Sequence, residues 1–207
     1  MVLWASWVQI PPPALSDEPT GFSSKKSNPR KFIVPIQQRY HTNLFPDSIL
    51  RTESPFDFVE NEPFRNAISK VYVSRSLNRD LKRGDLMVFY RTGGYYASVV
   101  TTVGIVESVN TSVNDASSFM RLCRKRSVFS DQELRLQWDA APPTNKPFIV
   151  NFLYAYSFPK RINMKRLIEL GVIKDVHSAP RGFELLSDES FNRIIKETNS
   201  VERIVVN

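Results

Sequence analysis

Two apolar runs separated by a pair of glycines constrain this chain most. Leu86-Met87-Val88-Phe89-Tyr90 is apolar at every position, which suits a strand in the interior of a sheet better than one with a wet face. Gly93-Gly94 breaks the run. Tyr96 to Val109 then carries Val99, Val100, Val103, Ile105, Val106 and Val109, a long β-branched strand. Gly104 within it is expected to mark a bulge or the close approach of another segment.

The remaining segments are shorter. Lys31 to Ile36 reads as a strand whose Pro35 argues for an edge or a loop, followed by a turn-rich stretch through Leu44-Phe45-Pro46-Asp47. Asn66 to Ser74 ends in strand residues, and Leu81 to Asp85 reads as a turn. Asp115 is a good N-cap for a helix to Arg126, with Phe119, Leu122 and Cys123 inward and Arg121, Arg124, Lys125 and Arg126 toward solvent. Ser130 to Glu133 fits a capping box. Pro147 to Phe158 is a further strand, Asn163 to Leu170 a helix stopped by Gly171, and Ser187 opens a last helix with Phe191, Ile194 and Ile195 as its apolar stripe. Strands with interspersed short helices, lacking regular βαβ alternation, imply an α+β fold built on a mixed or barrel-like sheet.

The 207 residues are 42% hydrophobic, enough to fold, and 28 basic against 21 acidic side chains leave a net charge of +7. That surplus makes polyanions the leading class of partner. The single cysteine, Cys123, rules out an internal disulfide and suggests a cytoplasmic protein. Its basic neighbours would activate the thiol if it were exposed, whereas on a helix's inner face it is a small apolar residue. Cys123, His41 and His177 lack metal-ligand spacing, so no metal is expected, and each histidine reads as a surface or capping residue. No apolar run approaches the roughly 20 residues of a membrane span.

Residues 1–30 read as lying outside the domain. Trp7-Val8-Gln9-Ile10-Pro11 back-translates to codons with complementary TGGG and CCCA ends around a TTCAAAT centre, the pattern of a tRNA T-loop. The expectation is a translation start assigned too early, with a true start between Val2 and Phe32, and a linker over 15–30. The domain itself is placed at 31–198, with a tail at 199–207.

The order of Lys70-Val71-Tyr72-Val73-Ser74, then Leu81-Lys82-Arg83-Gly84-Asp85 running into Leu86 to Thr92, then Val100 to Glu107, resembles the PUA-like superfamily and particularly its ASCH and EVE branches. The resemblance implies a mixed β pseudobarrel decorated by short helices, with a cleft that takes RNA or a modified nucleobase. Ala179 to Phe191 is similar to the closing segment of PUA-like domains attached to GNAT-type acetyltransferases, which implies an acetyltransferase-type or toxin-type protein as an alternative partner.

Recognition is expected around Tyr90 to Tyr96. Arg91 and Thr92 would contact phosphate or a base edge, Tyr95 and Tyr96 would stack, and the glycines would admit a ligand to the backbone. An ordinary exposed hairpin is the other reading. Arg181, in the constrained Pro180-Arg181-Gly182 loop, is a candidate for the same cleft, as is Ser74. Lys160 and Arg161, with Lys165 and Arg166, and the cations of Arg121 to Arg126, are either phosphate contacts or solvated faces. Glu107 matches the acidic position of ASCH-like motifs and would be the catalytic group of a nucleoside amidohydrolase, although the lysine of that pattern has no match. No P-loop, dinucleotide fingerprint or acetyl-CoA turn is present, so no cofactor is expected.

Overall fold

A computed structural model describes residues 28–48 and 63–200; the proposed start and most of the linker lie outside them. The strands are β1 (Lys31–Gln37), β2 (Ser69–Ser74), β3 (Leu86–Thr92), β4 (Val99–Asn110), β5 (Phe148–Asn163) and β6 (Glu184–Leu186). The helices are α1 (Gln38–Leu44), α2 (Pro63–Asn66), α3 (Ala116–Cys123), α4 (Asp131–Asp139), α5 (Met164–Glu169) and α6 (Asp188–Glu197). The strands form one mixed sheet in the order β2-β5-β4-β3-β1-β6. The fold is α+β as expected, but the sheet stays open: β2 and β6 are edges and do not pair with each other.

β3 lies inside the sheet, parallel to β1 and antiparallel to β4, and its two faces feed separate cores. Met87 and Phe89, with Phe32, Val34 and Ile36 of β1, join Phe148, Val150 and Phe152 on one side. Leu86, Val88 and Tyr90, with Ile33, pack on the other against Leu167 of α5 and Phe191, Ile194 and Ile195 of α6. A third cluster covers the outer face of β2 and β5, where Val71 and Ile149 meet Phe119 and Cys123 of α3 and Leu134 and Trp138 of α4. Period two along the strands and the inward stripes of the helices account for all three.

β1 departs from the edge or loop that Pro35 suggests. It pairs with β3 over its whole length, while β6 accompanies it from Lys31 to Ile33 only. Pro35 therefore sits where one side of β1 is open, which is where a residue without an N–H is tolerated. β5 runs to Asn163, past the expected end at Phe158, because Pro159 falls in a bulge. Val100 of β4 faces Ile162 and Thr102 faces Ser157, so Phe158 to Arg161 stand opposite a single residue.

The stretch 38–44 is helical although nothing local announces it. Gln37 makes no side-chain cap and the first turn carries no acid. α3 stops at Cys123, short of Arg126, because Arg124 leaves helical geometry and Lys125 takes a positive φ of 67°. The Asp115 cap and the Ser130–Glu133 capping box form as expected, Asn163 caps α5, and Ser187, expected to open the last helix, caps α6. Asn28 to Arg30, placed before the domain, are tied into it: the Arg30 guanidinium meets Asp85 at 2.6 Å and Asp80 at 2.9 Å, and its carbonyl accepts from the Leu86 N–H. At the other end Thr198 and Ser200 are buried.

Gly104 is both a bulge and a close approach. The β4–β5 register shifts between Val103 and Gly104, and a Cβ there would lie 2.6 Å from Phe152 Cδ2 and 3.1 Å from the Leu153 carbonyl. Gly104→Ala should therefore cost about 1–3 kcal/mol of stability, measured by urea denaturation. A variant as stable as the wild type would show that β4 and β5 separate without penalty.

Candidate functional site

The open side of β1 faces the free edge of β2. The sheet curls until the Tyr72 hydroxyl on β2 donates to the Pro35 carbonyl on β1, four strands away in the sheet order. Between these edges lies a cleft of about 740 Å³, within the size range of small-molecule and cofactor pockets. Val34 to Gln37 form one side and Val71 to Ser74 the other, while Tyr40 of α1, Val128 and Phe129, Gln137 of α4 and the Pro180–Phe183 loop complete it.

The walls are aromatic. Tyr40 and Phe129 stand with ring centroids 4.4 Å apart, and Tyr72 meets Phe183 edge to face at 5.6 Å. Burial raises the Tyr40 phenol above its ordinary pKa, against the pull of the adjacent Arg39, and raises Tyr72 further. Ser74, Ser76, Thr92, Gln37 and Gln137 add polar groups, and the Thr92 hydroxyl donates to the Ile36 carbonyl at 3.3 Å.

The Pro180–Phe183 loop is pinned in place. The Phe183 N–H donates to Ser76 Oγ and Asn78 Nδ2 donates to the Phe183 carbonyl. Gly182 passes so near that a Cβ would lie 2.6 Å from Ser76 Oγ. The Arg181 N–H is held by Glu184, while its side chain is exposed at the cleft. Arg75 is likewise exposed on the lining, and the Arg39 guanidinium stacks 4.3 Å over the Tyr40 ring. None of these three arginines forms an ion pair among the described residues. Glu133, an acidic group that acts electrostatically on this wall, is held in the capping box with Ser130.

α1 is fixed from beneath. His41 is buried and its Nε2 lies 2.8 Å from Thr101 Oγ1 of β4. The hydroxyls of Thr101, Thr102, Ser48 and Ser157 continue from there as a hydrogen-bonded chain. The surface or capping role expected for His41 is therefore corrected: helix α1 turns it into the sheet, and the same helix presents Tyr40 to the cleft. His177 is exposed, in a 3-10 turn capped by Asp175.

Of the residues singled out in the sequence, Ser74, Thr92 and Arg181 line the cleft. Arg91 does not. It is 2% exposed and donates from Nη1 to the Ala97 carbonyl, bracing its own hairpin. Tyr95 and Tyr96 pack edge to face on the exposed β3–β4 turn, outside the cleft lining. Lys160 pairs with Glu197 of α6 at 2.7 Å, and Arg161 reaches the Asp47 carbonyl at 3.4 Å, both on the far segment of β5. Glu107 accepts from Ser69 Oγ, to which Arg126 also donates, and it does not line the cleft. Cys123 is buried against α4, and burial pushes its thiol up to about 12. Among the described residues no group of three or more His, Cys, Asp or Glu side chains could hold a metal, and no helix is long and apolar enough to cross a membrane.

Tyr40, Tyr72, Phe129 and Arg75 line the cleft, with Arg39 stacked on Tyr40, and none of them was singled out. Tyr72 reads as an ordinary strand residue, and Phe129 precedes a capping box. Only the curl of the sheet brings them together.

No family model matches the chain, and no curated protein does. Solved structures do. Two mutant forms of the ZmASCH protein of Zymomonas mobilis are 11% and 10% identical, at TM-scores of 0.55 and 0.57; they cover 81% and 80% of this chain, and the chain covers 95% and 96% of theirs. A looser likeness, at a TM-score of 0.46 and 10% identity, is to human THYN1 protein in complex with 5-methylcytosine-containing DNA, over 82% of this chain and 97% of that one. At such identities the likeness is one of fold.

The support beneath α1 has a pH signature. Burial, reinforced by Arg91 and Arg161, lowers the His41 imidazole to about 3, whereas an unfolded histidine titrates near about 6.5. The unfolded chain therefore takes up a proton that the folded chain refuses, and stability is lost as the pH falls from about 6.5 toward about 3, by up to about 1.4 kcal/mol per unit. Urea denaturation between about pH 7 and about pH 5, above the carboxylate range, should show this slope. His41→Gln should flatten it; an unchanged slope would place the titration elsewhere.

Proposed function

We propose, for a chain that belongs by fold to the PUA-like superfamily and resembles its ASCH branch, that the cleft between β1 and β2 binds single-stranded RNA or a modified nucleobase within it. The observation that supports this most is the pairing of aromatic walls with exposed arginines, Arg75 and Arg181 on the lining and Arg39 stacked on Tyr40, that make no ion pair among the described residues. Tyr40, Tyr72 and Phe129, each partly exposed on the lining, offer apolar ring surface of the kind on which bases stack, worth about 1–3 kcal/mol per base, and Phe183 is buried behind Tyr72. Arg39, Arg75 and Arg181 offer guanidinium groups to the phosphates on either side. The Tyr72 and Thr92 hydroxyls, whose protons go to β1 carbonyls, retain lone pairs that can accept from a base edge.

Nothing in the geometry favours the amidohydrolase reading, since Glu107 lies with Ser69 and Arg126, outside the lining. Docking to a separate acetyltransferase-type protein is the competing outcome of the binding experiment.

Fluorescence anisotropy with a labelled single-stranded RNA of mixed sequence tests the proposal. Binding should weaken as salt rises. Arg75→Gln with Arg181→Gln should lower affinity about tenfold at about 0.15 M salt, and Tyr40→Ala should cost about 1–3 kcal/mol. Arg91→Ala is not the diagnostic variant, because its side chain braces the β3–β4 turn. Absent or salt-insensitive binding would overturn the RNA reading, and failure of modified nucleobases to bind the cleft as well would overturn the proposal and favour a protein partner.

A further inference from the structure

We infer that the corner between α3 and α4 is a second phosphate-contact surface, so that the cleft's partner is a polynucleotide several residues long and not a free base or single nucleotide. The inference rests on the cleft reading above. Arg121, Arg124, Lys125 and Arg126 place four exposed cations within six consecutive residues. Arg124 has Asp131 at 3.5 Å, and Arg126 donates to Ser69 Oγ, beside Glu107. Arg121 and Lys125 make no ion pair among the described residues; Asp115, at the start of α3, acts only weakly with Arg121.

The corner is bonded to the strand that borders the cleft. The Arg126 carbonyl accepts from the Val71 N–H at 3.0 Å, so the corner is bonded to β2, the strand that forms one side of the cleft. The Ser127 N–H donates to the Cys123 carbonyl, which anchors the turn to a buried residue. Lys125 holds a left-handed φ of 67°, a conformation that costs a lysine about 1 kcal/mol or more. Val128 and Phe129, directly after these cations, line the cleft.

A strand leaving the cleft past Phe129 can therefore reach the corner, while Arg75 and Arg181 stand on the lining just after β2 and in the 180–183 loop. A helix C-terminus welcomes one or two cations on its own account. It does not explain a fixed cationic corner that continues the wall of an aromatic cleft. Binders of single-stranded nucleic acid combine these two parts, a stacking surface and a cationic track along the backbone. A ligand that meets both the cleft and the corner needs more than one phosphate.

The test compares labelled RNAs of about twelve and about two nucleotides, a spread that brackets the smaller footprints of single-strand binders, on the wild-type chain, on Arg121→Gln/Lys125→Asn and on Tyr40→Ala. Asparagine tolerates the left-handed position at 125. The wild type should bind the longer RNA more tightly. The double variant should lower its affinity for that RNA about tenfold at about 0.15 M salt and flatten the log–log salt slope by about 1.4, leaving the shorter RNA unaffected. Tyr40→Ala should weaken both. Equal wild-type affinity for the two RNAs, or a double variant indistinguishable from wild type on the longer one, would overturn the inference and leave the cleft reading standing. Failure of both RNAs to bind the wild-type chain would remove the cleft reading and this inference with it.

Discussion

β6 runs beside β1 for three residues and stops, and the rest of the cleft's geometry follows from that stop. A longer β6 would continue the ladder past Val34 and cover the edge now facing β2. Because it ends, Pro35 is tolerated, the main chain from Val34 to Gln37 borders the cleft, and the Pro35 carbonyl is left for the Tyr72 hydroxyl. Exposed strand edges are ordinarily protected. Here the protection comes from the Pro180–Phe183 loop on one side and the 126–129 turn on the other, and both contribute to the cleft.

The interior beneath the cleft is more polar than an all-apolar core would need to be. His41, Thr101, Thr102 and Ser48 are all buried and joined in one hydrogen-bonded chain with Ser157. Such a chain fixes one arrangement of the segments it joins, because misplacing any member leaves a buried polar group unmade. α1 has no cap of its own, so its orientation, and that of Tyr40, depends on this network more than on helix propensity.

Much of the fold was legible in the sequence because it is written in local or period-two signals. The apolar run of β3, the β-branched run of β4, Gly104, and the caps of α3, α4, α5 and α6 are each stated by adjacent residues. What was not legible depends on distant pairing. α1 lacks every local start signal and is held by Thr101, sixty positions on. Pro159 reads as a strand end and sits instead in a bulge that only β4 reveals. The cleft divides the same way. Arg181, singled out for its constrained loop, and Ser74 and Thr92 line the cleft, but Arg91 does not: a strand-end arginine before two glycines looks exposed, whereas its hairpin folds over it. Tyr40 and Phe129 lie 89 positions apart and carry no sign of each other until the rings meet at 4.4 Å.

The clasp between Tyr72 and Pro35 has a mechanical meaning. Adjacent strands in a ladder are held about 4.8 Å apart by repeated main-chain bonds, a spacing that no ligand can widen without breaking the sheet. Across this opening the Tyr72 hydroxyl joins the two strands through the Pro35 carbonyl instead. The join between the two sides of the cleft is thus a side-chain bond and not a ladder, so it can be removed by one substitution while every β-ladder stays intact.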